Sequence, residues 1–85
     1  MKVLHVIRIN NDTLAQGVIE KIRHDDIAEQ TLLLIHDAVY MRLQGPQVFA
    51  CSDDVRARGI ETDASLVEYG EIVDMIFEHD KVMTW

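Results

Sequence analysis

The chain has 85 residues, a formal net charge of −7, 48% hydrophobic residues and one cysteine. That length makes a single domain over residues 1–85, near the small end of what folds alone. The acidic balance argues against direct nucleic-acid binding, which usually shows a basic stripe. The lone cysteine excludes an internal disulfide, and no Cys/His group has zinc spacing, so neither a metal nor another cofactor is expected.

"KVLHVIRI" (Lys2–Ile9) is β-branched and mostly apolar, the pattern of a strand buried on both faces. "NNDT" follows with capping side chains, and Leu14, Val18, Ile19 and Ile22 then share one face of an amphipathic helix over Thr13–Arg23, which "HDD" ends. "TLLLIH" (Thr31–His36) reads as a second buried strand, and "DAVYMRL" as a short helix or turn. "QGPQ" (Gln44–Gln47) is the clearest loop. "VFAC" is a third strand. "SDDVRARG" is a helix with acids in its first turn and Gly59 as its C′ residue. "SLVEY" is a fourth strand, and "GEIVDMIFEHD" is a helix with Ile72, Val73, Ile76 and Phe77 on one face. "KVMTW" closes as a short edge strand.

This alternation predicts an α/β fold: a small three-layer α/β/α domain with a mainly parallel sheet of four or five strands. Met1-Lys2 leads into the first strand without a secretory pattern, and the longest apolar run, Leu32–Ile35, cannot span a bilayer. A soluble, cytoplasmic protein with no membrane partner is expected.

In open parallel sheets, reactive groups gather at the carboxyl ends of the strands. "NND", "HDA" and "CSDD" fall there. Cys51 ends a strand directly before a helix, whose free N–H groups and dipole favour a thiolate. That contribution, roughly 0.3–1 kcal/mol, moves the pKa by well under one unit. Asp53 and Asp54 oppose it, and Arg56 and Arg58 offset them only by folding back toward the sulfur. On these residues alone Cys51 reads as inert filler, the commoner fate of a lone cysteine. His36, beside Asp37, lies at a strand end and would activate the sulfur if the two met. His5 reads as a satisfied core or interface histidine, while His24 and His79 sit in charged, solvated segments. Asp25-Asp26 and Asp53-Asp54 read as turn and helix-start residues.

"LHVIR", "LLLIHDAVY", "VFACSDDVRARGI" and "LVEYGEIVDMIFEHDKVMTW", taken together and in order through essentially the whole chain, resemble the DsrH/TusB family of small sulfur-relay subunits. The resemblance implies a compact α/β subunit that assembles with DsrE/TusD-like and DsrF/TusC-like chains or with copies of itself. It also implies sulfur donor and acceptor proteins. Such complexes pass persulfide sulfur toward 2-thiouridine at the tRNA wobble position, or serve dissimilatory sulfur oxidation. In DsrE/TusD-like subunits the sulfur-carrying cysteine closes a strand several residues before an Arg-Gly pair. Cys51 stands similarly before Arg58-Gly59, whereas TusB-type subunits commonly lack a cysteine there.

Two readings follow. In one, Cys51 is a persulfide carrier, with the helix start and a hydrogen bond from Ser52 stabilising its thiolate and His36 and Arg58 in support. In the other, the chain is a non-catalytic scaffold subunit. Trp85, Phe77, Met75 and Tyr40 are then its interface anchors, unless they are ordinary core residues, as Phe77 on an apolar helix face would be.

Overall fold

The computed structural model describes residues 2–10, 13, 17, 20, 29–41 and 47–85. The helix expected over Thr13–Arg23 lies outside them except at Thr13, Gly17 and Glu20, which are helical. His24, Asp25-Asp26 and all of Gln44–Gln47 but Gln47 also lie outside.

Five strands form one sheet: β1 (Lys2–Ile7), β2 (Glu29–Leu34), β3 (Val48–Cys51), β4 (Ser65–Val67) and β5 (Lys81–Thr84). Their order is β4-β3-β2-β1-β5, and each neighbouring pair is parallel. Two helices are described, α1 (Ser52–Arg58) and α2 (Tyr69–Glu78), with a 3₁₀ turn at His36–Tyr40. This is the small α/β architecture that the strand and helix alternation predicts.

Side-chain alternation gives the sheet two apolar faces. On one face Ile7, Leu32, Leu34, Val48 and Ala50 pack with Ala38 and Val39 of the 3₁₀ turn and Val55 of α1. On the other, Leu4, Leu33 and Val67 pack with Ile72 and Met75 of α2. The distribution follows from handedness. The steps β2→β3→β4 run one way across the sheet, so right-handed crossovers put their connections on one face. The return from β4 at one edge to β5 at the other then carries α2 across the opposite face.

Gly59 ends α1 in the left-handed conformation (φ 59°, ψ 36°), and its N–H reaches the carbonyls of Arg56 and Val55. A side chain there would have open space but a strained backbone. The chain from Ile60 can thus turn directly into β4.

β5 is the edge strand that "KVMTW" predicts, and its end is clamped. The Trp85 backbone N–H donates to the Val6 carbonyl (2.8 Å), and the Arg8 N–H to the Trp85 carbonyl (3.3 Å). The indole N–H donates to Nδ1 of His5 (3.1 Å), and Nε2 of the same fully buried ring lies 2.5 Å from Gln30 Oε1. An indole only donates, so Nδ1 is the unprotonated nitrogen and His5 is held as the Nε2–H tautomer. His5 is therefore a satisfied core histidine.

The expected anchors divide. Trp85 packs partly buried against the core, and Met75 does the same beneath α2. Tyr40 is largely exposed. Phe77 is 84% exposed, so its expected core placement is corrected. Ile72 and Met75 face the sheet, and Val73, Ile76 and Phe77 point outward. Both sets share a wide apolar arc, and packing against Leu4, Leu33 and Val67, not spacing, selects the set that faces inward.

Trp85→Phe keeps an aromatic ring but removes the donor to a buried nitrogen. We expect a loss of about 1–3 kcal/mol, read from urea denaturation as a lower midpoint at an unchanged slope.

Candidate functional site

The carboxyl ends of β2 and β3 bring together His36, Asp37, Cys51, Asp54 and Arg58. Each arrives there for a local reason. β3 ends at Cys51, which is the N-cap of α1 with extended backbone (φ −65°, ψ 119°). That places Asp54 at the third helical position, one turn on and over its own cap. β2 ends at Leu34, and His36 opens the 3₁₀ turn with φ 50°, a left-handed geometry costing a non-glycine residue roughly 1–2 kcal/mol. The bend aims the His36 N–H at Asp54 Oδ2, 2.9 Å away.

Cys51 sits at the rim in the chain's path but not at the surface. It pairs with Val67 of β4 and is only 1% exposed. Burial pushes its thiol pKa up. The Asp54 N–H opposes this, while the Asp54 carboxylate, as acceptor and as charge, raises it further. The sulfur is therefore a neutral thiol donating to Asp54. The buried placement fits Cys51 as filler, while the thiolate of the carrier reading meets burial and a carboxylate here.

Asp54 is the group that the rim converges on. Burial pushes its pKa up, but the His36 N–H, the Cys51 thiol and attraction to His36 and Arg58 outweigh it and hold the carboxyl below its ordinary range. Arg58 Nη1 donates to the Asp54 carbonyl (3.2 Å) and to Oδ1 (3.4 Å).

The other residues singled out in the sequence take different partners from those expected. Arg58 grips Asp37 Oδ1 through Nε (3.2 Å) and Nη2 (3.0 Å), and its guanidinium lies 6.0 Å from the Tyr40 ring centre. These contacts, Asp37 foremost, raise its pKa further. Arg56 reaches Glu68 (3.3 Å) and Asp53 (4.0 Å). Both arginines are thus engaged with carboxylates instead of folding back to the sulfur. Ser52, 1% exposed, donates its hydroxyl to Glu68 Oε1 (3.1 Å), not to Cys51. His36 and Cys51 both meet Asp54, His36 through its backbone N–H. Tyr69, at the start of α2, has its phenol pKa raised, chiefly by Cys51 and then by Asp54.

Asp54 was legible in principle. An N-cap residue followed three positions later by an acid is the spacing of a capping box, and "CSDD" carries it with cysteine as the cap. As a helix-start charge alone, Asp54 offers the sulfur only repulsion; the spacing adds an acceptor within reach of its own cap.

A hollow of about 690 Å³ opens beside Tyr40, lined by Val39, Met41, Ile60 and Thr62, and one of about 410 Å³ lies under α2 near Thr31 and Phe49. Cys51 lines neither. Among the described residues no cluster of three or more His, Cys, Asp or Glu is placed to hold a metal ion, and no helix is long and apolar enough to cross a membrane.

A family model described as DsrH like protein matches residues 16–82. No curated protein matches the chain.

The rim sets a pH dependence at both ends of the scale. Asp54 has a depressed folded pKa, so its contribution is present above the unfolded aspartate pKa, near 4, and fades as pH falls through the folded value. Cys51 has a raised one, so its contribution is present below the unfolded cysteine pKa, near 8.5, and fades as pH rises through the folded value. Urea titrations across pH should find the acid fall reduced in Asp54→Asn and the alkaline fall reduced in Cys51→Ala. Iodoacetamide at pH 8 should alkylate the folded chain at least about tenfold more slowly than the urea-unfolded chain, because only exposed thiolate reacts.

Proposed function

The chain belongs to the DsrH-like family and is, at that level, a sulfur-relay-associated subunit; from that premise we propose that its contribution is architectural and that Cys51 does not carry sulfur. One observation bears most of the weight. The only cysteine is 1% exposed, and burial together with the Asp54 carboxylate pushes its thiol pKa up. A persulfide carrier needs the reverse, a thiolate that the outer sulfur of a donor persulfide can reach. The carrier would attack that sulfur, form Cys–S–SH and release the donor's thiolate, then surrender the sulfur to an acceptor thiolate in a second exchange. The thiolate is the nucleophile throughout, and this site disfavours both its formation and its approach.

The carrier reading keeps one supporting observation. Cys51 closes β3 at the start of α1, and the N–H groups of Asp54 and Asp53 favour its anion. Burial, the largest influence, and the adjacent carboxylate act against it. The scaffold reading therefore takes precedence, with partner chains of the DsrE/TusD-like and DsrF/TusC-like kinds providing the sulfur-bearing cysteine. The downstream route, tRNA thiolation or sulfur oxidation, belongs to those chains and their acceptors.

The test is a substitution within the assembled complex. Cys51→Ser should leave the rate of sulfur transfer within about twofold of wild type. After incubation with a persulfide donor, intact-mass spectra of the wild-type subunit should carry no extra sulfur. A mass gain of one sulfur that disappears in Cys51→Ser, together with loss of transfer, would establish the carrier instead.

A further inference from the structure

From Glu68 to Trp85 no residue is buried. That segment is α2 and β5, which lie on one face and one edge of the sheet. The underside of α2, Ile72 and Met75, is only partly buried, and the hollow of about 410 Å³ opens beneath it. Hydrophobic stabilisation follows the apolar area removed from water. Burial therefore holds this segment less firmly than the strands it lies on.

Polar contacts supply the rest. Three polar side chains are buried among the described residues, His5, Thr31 and Ser52, and each reaches this segment at a different joint. Ser52 donates its hydroxyl to Oε1 of Glu68, the N-cap of α2 (3.1 Å). Thr31 Oγ1 lies 3.1 Å from Nε2 of His79, the C-cap of α2, and the same ring donates from Nδ1 to the Met75 carbonyl (2.6 Å). His5 accepts the indole N–H of Trp85, just past β5 (3.1 Å). His79, which its charged neighbours in the sequence mark as solvated, is thus partly buried. A polar group sealed in a core without a partner is costly, whereas one that opens to water exchanges one partner for another at small net cost. These three contacts set where the segment sits and oppose its departure only weakly.

The segment also holds together. Only His79 and Asp80 separate α2 from β5. At that joint the Asp80 N–H donates to the Lys2 carbonyl (2.8 Å), and the Lys2 N–H to Asp80 Oδ2 (2.8 Å). The end of the helix and the start of the strand are therefore positioned by one set of bonds.

We propose that Glu68–Trp85 is a cover that lifts from the sheet as one cooperative unit while β1 to β4 stay folded. Ser52, Thr31 and His5 are its latches, and the Val67–Glu68 junction is its hinge. Lifting bares Leu4, Leu33 and Val67, and leaves the cluster around Ile7, Leu34 and Val55 on the far face intact. The inference goes beyond the relay reading and does not depend on it.

Native-state hydrogen exchange tests this, followed by NMR on the purified chain at urea concentrations below the unfolding midpoint. Amides of Ile72–Glu78 and of β5 should share one opening, at least about tenfold less protected than amides of β2 and β3. Its urea dependence should be shallower, because lifting exposes less surface than unfolding. His79→Ala, which removes a partly exposed ring, should speed exchange at least about threefold through both elements, as far as the Trp85 amide. Thr31→Val, which keeps the branched shape without the hydroxyl, should do the same. Val55→Ala, on the far face, should speed β2 and β3 amides and leave the segment within about twofold of wild type, since its contacts persist when the cover lifts. A segment that exchanges in step with β2 and β3, in protection and in urea slope, would overturn the proposal. So would equal acceleration of the segment by Val55→Ala, or an effect of His79→Ala confined to the neighbouring amides.

Discussion

A parallel sheet cannot leave a face to water, because its strands carry apolar side chains on both sides. Right-handed crossovers decide how that demand is met here. Every step that moves from β2 toward β4 places its connection on one face, and only the return to β5 supplies cover for the other. That single return is α2, ten residues long. The well-filled face holds the larger cluster around Ile7, Leu34 and Val55. The other holds three sealed residues under a helix whose outer side is itself apolar. Topology, more than composition, makes this chain one that folds with surface left for a partner.

The same topology explains why the rim chemistry is quiet. α1 starts at Cys51 and α2 starts two residues after Val67, the strand neighbour of Cys51, so the sulfur lies between two helix starts. Such a position offers N–H groups to an anion. Here each start already has its own carboxylate: Asp54 takes the His36 N–H and the thiol, and Glu68 takes the Ser52 hydroxyl and Arg56. The N–H groups of Asp54 and Asp53 still favour the sulfur's anion, but burial and the Asp54 carboxylate outweigh them.

Much of this fold could be read in the sequence because buried parallel strands and capped helices leave local signatures. All five strands, the helix from Ser52, Gly59 as its end and the edge placement of "KVMTW" follow from patterns a few residues long. The errors have non-local causes. β2 begins at Glu29, ahead of its apolar run, because the ladder with β1 starts at Lys2. Phe77 faces outward because α2 has two apolar stripes, and the contact with Leu33 and Val67 selects the one carrying Ile72 and Met75. The position of Cys51 was legible; its burial was not, since that depends on β4 and α2 closing over the rim from later in the chain. Asp54 was visible as a residue but not as the meeting point of β2 and α1.

Group transfer between proteins asks a thiol to be exposed, ionised and free of a competing hydrogen bond at the moment of attack. Cys51 fails each condition in the same geometry, and the failures are coupled. Freeing the sulfur from Asp54 would remove a neutralising contact from a carboxylate that also holds the His36 turn and Arg58. Opening the rim to solvent would then cost the ordering of both strand ends at once. A contact surface makes no such demand, because Phe77 and its neighbours on α2 are already presented and are held from beneath by Ile72 and Met75. Within one small chain, the strand-end cysteine is closed by its surroundings, while an apolar stripe of α2 stands exposed. The proposed division of labour, with the reactive sulfur on other chains and this one in the assembly, accords with both features.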